Sequence, residues 1–135
     1  MKQGIQKDFP EPTLASEGCY FFCLLRWAEI LRDKEFTVEQ IKAFFICSQV
    51  FKLVDEEATV LQPTSFLNWL IDRKSFTSYS KPKEKPHDQD IYGVYLSKPK
   101  YDHYVLSAYG EIWDPLDPDR PQAKDYKTVG YRVIT

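Results

Sequence analysis

The pattern of apolar and polar positions divides the chain into a helical first half and a strand-like second half. Between Cys19 and Leu31 only two residues are charged, and they lie three apart on one face of a helix. A helix with so narrow a polar stripe is buried on most of its sides. We therefore predict a buried central helix that opens at Ser16, with the Ser16 hydroxyl as its cap, and runs to about Asp33.

Two further helices are predicted after the central one. Thr37 and Gln40 have the spacing of a capping box, which starts a second helix that runs through about Phe51. A third, shorter helix follows Pro63. Residues 1–13 contain two prolines and little periodicity, so we predict an irregular lead-in there.

The second half of the chain predicts strands rich in β-branched and aromatic residues. The predicted strands are Ser75–Ser80, Ile91–Leu96, Asp102–Tyr109, Glu111–Trp113 and Lys127–Ile134. The third and fourth of these are predicted to form a hairpin that turns near Gly110. Helices first and an antiparallel sheet second predict a single α+β domain over residues 1–135, with the helices packed on the sheet.

Composition and charge exclude several classes of function. The 135 residues fit one globular domain, and the net charge of −2 with a pI of about 5.7 gives no basic field for a nucleic acid. The longest apolar run, Cys19–Leu25, is too short to span a bilayer. Three cysteines and the lack of a secretory signal predict reduced thiols. We expect a cytoplasmic monomer without a nucleic-acid or membrane partner.

Cys19, His103 and Asp114 are the candidates for chemistry. Cys19 falls in the first turn of the central helix, where unpaired N–H groups and the helix dipole lower the pKa of a thiol. Gly18 adds no side chain beside the sulfur and is expected to leave room for a substrate backbone. The alternative interpretation is that Cys19 is a small core residue and that His103 only satisfies a hydrogen bond.

The register of the hairpin gives an independent test of this site. A two-residue turn at Tyr109–Gly110 puts Asp114 opposite Val105, on the same face as His103 and diagonal to it. A turn one residue earlier puts Asp114 directly opposite His103, and a three-residue loop puts the two on opposite faces. We therefore predict an even-numbered loop, with the carboxylate fixing the tautomer of the imidazole.

The segments around these three residues resemble a known family. Gly18-Cys19-Tyr20-Phe21, His103-Tyr104-Val105-Leu106 and Trp113-Asp114-Pro115 resemble the papain-like cysteine peptidases, most closely their bacteriocin-processing, C39-type branch. The resemblance implies a papain-like fold in which Cys19 is the nucleophile, His103 the general base and Asp114 the orienting acid. Through Gln6-Lys7-Asp8 and the same Cys and Asp segments, the chain also resembles a family of small spirochaete and phage-type proteins without an established activity.

One position departs from the papain-like pattern. These enzymes usually carry a glutamine six residues before the cysteine as an oxyanion donor, and Thr13 stands there. Thr13 itself, Gln6, Ser16 and the backbone N–H of Cys19 are the remaining candidate donors. Losing one such donor costs roughly 100- to 1,000-fold in rate. We therefore expect a slow peptidase or amide hydrolase that acts on a peptide or protein. The alternative is a non-catalytic papain-like domain that binds a peptide or protein partner, as a phage or plasmid accessory protein.

The other reactive side chains indicate structure rather than chemistry. A zinc site is conceivable from four residues: Cys19, Cys23, His103 and Asp114. That spacing is not one of the recognised zinc patterns, so we predict no metal and no cofactor. Cys47 lies among apolar residues of the second helix and is predicted to be in the core. His87 lies in a polar loop flanked by prolines and is predicted to be exposed.

Overall fold

A computed structural model of the chain describes residues 1–116 and 125–135. These residues form four helices, α1 (Pro12–Glu17), α2 (Cys19–Arg32), α3 (Val38–Val50) and α4 (Pro63–Ile71), followed by five strands, β1 (Tyr79–Ser80), β2 (Ile91–Lys98), β3 (Tyr101–Ala108), β4 (Glu111–Trp113) and β5 (Lys127–Ile134). The strands form one antiparallel sheet in the order β1-β5-β2-β3-β4. The predicted α+β class, with helices packed on the sheet, is confirmed. No helix within these residues has the length and apolar character needed to cross a membrane.

The central helix is α2, and its start differs from the prediction. It contains eight buried residues and packs against α4 and β3. It begins at Cys19 with Gly18 as the N-cap, and no side chain caps it. Ser16 lies in α1 instead, where its hydroxyl donates to the carbonyls of Pro12 and Thr13. The predicted cap is therefore wrong, because a separate short helix ends before α2 starts.

Gly18 forms the corner between α1 and α2. Its backbone N–H donates to the carbonyl of Leu14 at 3.0 Å, and a Cβ at this position would lie only 2.6 Å from the same oxygen. The backbone of α1 therefore excludes any side chain at Gly18, and the proposed approach of a substrate past this residue stays a prediction. Glu11 caps α1 by accepting from the amide of Leu14, and Pro12 suits its first turn. The irregular lead-in predicted over residues 1–13 therefore ends earlier than expected.

The other two helices follow the sequence prediction closely. The side chain of Thr37 accepts from the amide of Gln40 at 3.1 Å, and the Gln40 side chain accepts from the amide of Thr37 at 2.9 Å, so the capping box is confirmed. The helix α4 begins at Pro63 and so includes Pro63 and Thr64, which the prediction placed just before the helix. Cys47 is exposed, contrary to its predicted place in the core. The reason is that α3 buries a different face, formed by Ile41, Phe45 and Ser48.

The hairpin between β3 and β4 has a two-residue turn. Tyr109 and Gly110 have φ angles of 53° and 83°, and two successive positive φ angles are typical of the type I′ turn that suits a hairpin. Leu106 pairs with Trp113, so the register continues to place Asp114 opposite Val105. The predicted even-numbered loop is confirmed.

The first strand is shorter than predicted. The sequence indicated a strand over Ser75–Ser80, and only Tyr79 and Ser80 belong to the sheet. The backbone of Phe76 exchanges two hydrogen bonds with the side chain of Asn68 instead, at 2.8 and 3.0 Å. The chain at Phe76 is therefore held by α4, whereas the amides of Thr77 and Ser78 donate to the carbonyl of Thr135. The predicted exposure of His87 is confirmed.

Alternate residues of β3 face different surroundings. The ring of Tyr104 lies 4.7 Å from the ring of Tyr20 on α2, so this face of the sheet meets the central helix. The opposite face carries a second apolar cluster of Tyr92, Val94, Val105 and Val133. Because side chains alternate along a strand, His103 leaves β3 on the face of Val105.

Candidate active site

His103 and Asp114 form a buried pair at the end of the hairpin. His103 Nε2 and Asp114 Oδ1 lie 2.8 Å apart, and the two residues are 2% and 5% exposed. The same Oδ1 also accepts from the amide of Leu116 at 2.8 Å. An ionised carboxylate only accepts hydrogen bonds, so Nε2 carries the ring proton and Nδ1 is left as the basic nitrogen. The structure thus brings together two of the three predicted site residues.

The backbone around Asp114 is held by the first residues of the chain. The amide of Gly4 donates to the carbonyl of Asp114 at 3.0 Å, and the amide of Gln6 donates to the carbonyl of Pro115 at 2.8 Å. The side-chain oxygen of Gln3 accepts from the amide of Asp114 at 3.2 Å. The sequence analysis missed Gln3 and Gly4, because no local pattern links them to a residue so far along the chain.

The second nitrogen of the His103 ring is available as a base. Nδ1 is buried and has no hydrogen-bond partner among the described residues. The ring of Tyr126 lies 5.7 Å away, centre to centre, and covers one side of the imidazole. A buried polar atom without a partner is costly and uncommon in folded proteins, and such atoms recur where a reaction uses them.

The thiol of Cys19 lies beside the backbone of Tyr104, the residue that follows His103 on β3. Since β4 pairs only with residues 106–108, the backbone of Tyr104 is left for α2 to contact. Backbone hydrogen bonds from Tyr104, Tyr20 and Cys19 itself favour the ionised form of the Cys19 thiol. One helical turn further on, the thiol of Cys23 donates to the Tyr104 carbonyl at 3.5 Å.

Burial decides the protonation state of Cys19. Desolvation raises the pKa of its thiol from 9.0 to about 11, and the backbone hydrogen bonds only partly oppose this. The expected lowering of the pKa at the start of a helix is therefore wrong, because loss of water outweighs the helix terminus. Burial also raises the pKa of Cys23 well above its ordinary value. The thiol of Cys19 makes no hydrogen bond to His103 Nδ1, so the resting site holds a neutral thiol.

The candidate oxyanion donors are differently placed. Ser16 is exposed and its hydroxyl is engaged within α1. Gln6 is buried, and its side-chain N–H donates to the carbonyl of Ala15 at 3.3 Å. Thr13 is half-buried on α1. Of the four candidate donors, the backbone amide of Cys19 is the one that lies beside the sulfur.

Three tyrosines beside Cys19 form a stack of rings that the sequence analysis missed. The rings of Tyr20 and Tyr104 lie 4.7 Å apart, and those of Tyr104 and Tyr95 lie 5.0 Å apart. We call these three residues the tyrosine row. The guanidinium of Arg132 lies over two of its rings, 5.0 Å from the centre of Tyr95 and 5.6 Å from that of Tyr104.

Within residues 1–116 and 125–135, no group of three or more His, Cys, Asp or Glu is arranged to hold a metal ion.

The fold and this geometry define a class: an α+β protein with a buried His–Asp pair and a cysteine at the start of its central helix. The chain belongs to the DUF261 family, described as proteins of unknown function, which matches residues 3–135. No curated protein and no solved structure matches the chain. Family membership therefore assigns no reaction, and the function is argued from the site itself.

Proposed function

We propose that this protein is a thiol-dependent amide hydrolase of the peptidase kind, with Cys19 as nucleophile, His103 as general base and Asp114 as orienting acid. The observation that carries the proposal is the His103–Asp114 hydrogen bond of 2.8 Å, which leaves the buried Nδ1 of His103 without a partner among the described residues. The resemblance of the three motifs to papain-like peptidases supports the same assignment of roles.

The proposed reaction begins from a neutral thiol. Nδ1 of His103 takes the proton of the Cys19 thiol as the sulfur bonds to the carbonyl carbon of an amide. The imidazolium then gives that proton to the leaving amine, and the C–N bond breaks to leave a thioester. Water, deprotonated by the same imidazole, hydrolyses the thioester to an acid and restores the thiol. Asp114 holds the ring and stabilises its charged form throughout.

This mechanism differs from that of a preformed thiolate–imidazolium pair. Because burial raises the pKa of the Cys19 thiol to about 11, the proton transfer belongs to the complex with substrate. A substrate that brings the sulfur and Nδ1 together supplies the contact that the resting site lacks. With the Cys19 amide as its chief oxyanion donor, we propose a slow hydrolase.

A second candidate function is a non-catalytic domain that binds a peptide or protein at the same site. The observation that favours it is the neutral Cys19 thiol, which makes no hydrogen bond to His103. In that case the buried His103–Asp114 pair serves the fold, and Cys19 is a small packing residue.

A mixture of peptidyl vinyl sulfones distinguishes the two functions, because these probes bind like peptides and react with an activated thiol. We expect the label on Cys19 at neutral pH, located by mass spectrometry. His103→Ala should slow this labelling about 100-fold or more, and Asp114→Asn should slow it less. Far-ultraviolet circular dichroism of each variant must match that of the parent.

The exposed Cys47 provides an internal control. Its labelling by iodoacetamide, a small reagent that needs no cleft, should be the same in all three proteins. If the vinyl sulfones label Cys19 at the same rate in the parent and in His103→Ala, the hydrolase proposal is overturned. No Cys19 labelling in the parent also overturns it and favours the binding domain.

A further inference from the structure

Arg132 carries a positive charge that no carboxylate of the described residues neutralises. The side chain is half-buried on β5. One guanidinium nitrogen donates to the carbonyl of Tyr131 at 3.0 Å, and the guanidinium lies 5.6 Å from the ring centre of Tyr104. A guanidinium has five N–H donors. Among the described residues one neutral oxygen accepts from the guanidinium, which leaves further N–H donors for a ligand.

Two glycines make room for this side chain. Gly93 lies opposite Arg132 in the sheet, and a Cβ at Gly93 would lie 3.1 Å from the Cβ of Arg132 and 3.7 Å from the ring of Tyr20. A Cβ at Gly130 would lie 3.8 Å from a guanidinium nitrogen. Arg132 thus extends over the sheet through space that side chains at positions 93 and 130 would fill. An ordinary surface arginine needs no such space.

The charge of Arg132 acts on the whole tyrosine row. Burial raises the pKa of Tyr104, and the positive charge of Arg132 opposes that rise. The same charge opposes the raised pKa values of Tyr20, where burial is the main cause, and of Tyr95, where a hydrogen bond to Asp102 is the main cause. The row leads to the sulfur, because Tyr20 follows Cys19 and the backbone of Tyr104 contacts the Cys19 thiol.

We propose that Arg132 and the tyrosine row form a subsite for a carboxylate group of a peptide, so that the ligand of this site is an acidic peptide. A carboxylate fits the planar fork of a guanidinium and forms charge-assisted hydrogen bonds with it. The apolar part of the peptide packs on the tyrosine rings. The carboxylate belongs either to an Asp or Glu side chain or to the C-terminus of the peptide. The claim that an acidic peptide is the substrate rests on the proposed hydrolase function. The claim that an acidic peptide binds at Arg132 does not depend on it.

Isothermal titration calorimetry on the Cys19→Ser variant tests the subsite without turnover. The probes are acetyl-Tyr-Glu amide, acetyl-Tyr-Gln amide and acetyl-Tyr-Gln with a free C-terminal carboxylate. We expect at least one carboxylate-bearing probe to bind about tenfold more tightly than the neutral amide. Whichever of the two binds more tightly identifies the source of the carboxylate.

The variants at Arg132 decide the assignment. Arg132→Gln should remove the preference for the charged probes, and Arg132→Lys should keep part of it, because it keeps the charge but loses the fork. The matched control is Arg73→Gln, an exposed arginine just after α4, which should bind as the parent does. Equal binding of all three probes, no binding of any, or an equal effect of Arg73→Gln overturns the proposal. If Arg132→Gln fails to fold, Arg132→Lys decides instead. If this variant keeps the parent's full preference for the carboxylate-bearing probes, or has no preference, the proposal is overturned.

The two proposals fail separately. Without labelling by vinyl sulfones the hydrolase is overturned, while binding of acidic peptides to Cys19→Ser is unaffected. If the vinyl sulfones label Cys19 but the carboxylate-bearing probes bind no more tightly than the neutral amide, the hydrolase proposal stands. Its substrate is then not an acidic peptide.

Discussion

The thiol of Cys19 is subject to two opposing influences. It lies at the start of a helix and near three backbone N–H groups, which favour the thiolate, and it is half-buried, which favours the thiol. The second influence is the larger. The Cys19 thiol is therefore neutral at pH 7, and under the proposed function His103 would take its proton.

The raised pKa of Cys19 has a consequence for stability at alkaline pH. The unfolded chain ionises this thiol near 9.0 and the folded chain only near about 11. The stabilising contribution of the neutral thiol is therefore complete below the lower value and is lost as the pH rises through the higher one. Cys19→Ala should lose less free energy of unfolding across this range than the parent does, as measured by urea denaturation under reducing conditions.

Cys47→Ala is the control for that experiment. Because Cys47 is exposed on α3, its removal should leave the pH dependence of stability as it is in the parent. A Cys19→Ala protein with the parent's alkaline profile would show that burial does not hold the Cys19 thiol neutral.

Among the elements, the contact between α2 and β3 determines where the candidate nucleophile lies. The strand β4 ends before it can cover the edge of β3 at Tyr104, and α2 occupies the open position with Cys19 and Cys23. The short helix α1 makes this possible, because the corner at Gly18 directs α2 toward the sheet. The place of the sulfur therefore depends on a corner that accepts no side chain.

Substitution at that corner should be disruptive. A Cβ at Gly18 would lie 2.6 Å from a backbone oxygen of α1, so Gly18→Ala must shift one helix against the other. We expect a loss of about 1–3 kcal/mol in the free energy of unfolding, together with weaker labelling of Cys19 by the vinyl sulfones. Ser16→Ala, exposed on the same corner, should change stability by less than about 0.5 kcal/mol. Equal stability of the two variants would contradict the packing argument.

The sequence predicted those elements that depend on neighbouring residues. The capping box at Thr37 and the two-residue turn at Tyr109–Gly110 are local, and both are present. The pairing of His103 with Asp114 followed from strand alternation and the turn length. The contact of Cys23 with Tyr104 joins residues 81 apart, and the desolvation of Cys19 arises from such contacts. No spacing in the sequence records them, which is why the predicted pKa was wrong.

At the scale of the whole molecule, the buried carboxylate of Glu29 connects distant parts of the chain. It accepts from the amide of Phe36 at 2.7 Å and from the side chain of Arg26 at 3.3 Å. It also accepts from the amino group of Met1 at 2.7 and 2.8 Å. A buried charge with this many partners fixes α2 against the segment before α3 and against the first residues of the chain.

Removing this carboxylate should destabilise the entire fold. Glu29→Ala leaves several buried donors without an acceptor, and breaking a buried ion pair from one side costs about 3–5 kcal/mol. We expect a large fall in the midpoint of thermal unfolding, followed by circular dichroism. Glu56→Ala, at an exposed position in the loop after α3, should leave the midpoint near that of the parent. A small effect of Glu29→Ala would show that the network contributes little.

The contacts of Gln3 and Gly4 with Asp114 bear on the order in which the protein assembles. Gln3 and Asp114 are 111 residues apart, and closing so long a loop has a high entropic cost that local helices and hairpins avoid. The hairpin can bring His103 and Asp114 near each other early, but the backbone of Asp114 is fixed only when the two distant segments meet. If the protein is the proposed hydrolase, this order of assembly would leave the imidazole unoriented while the chain is still exposed. The partly folded protein would then be protected from its own chemistry.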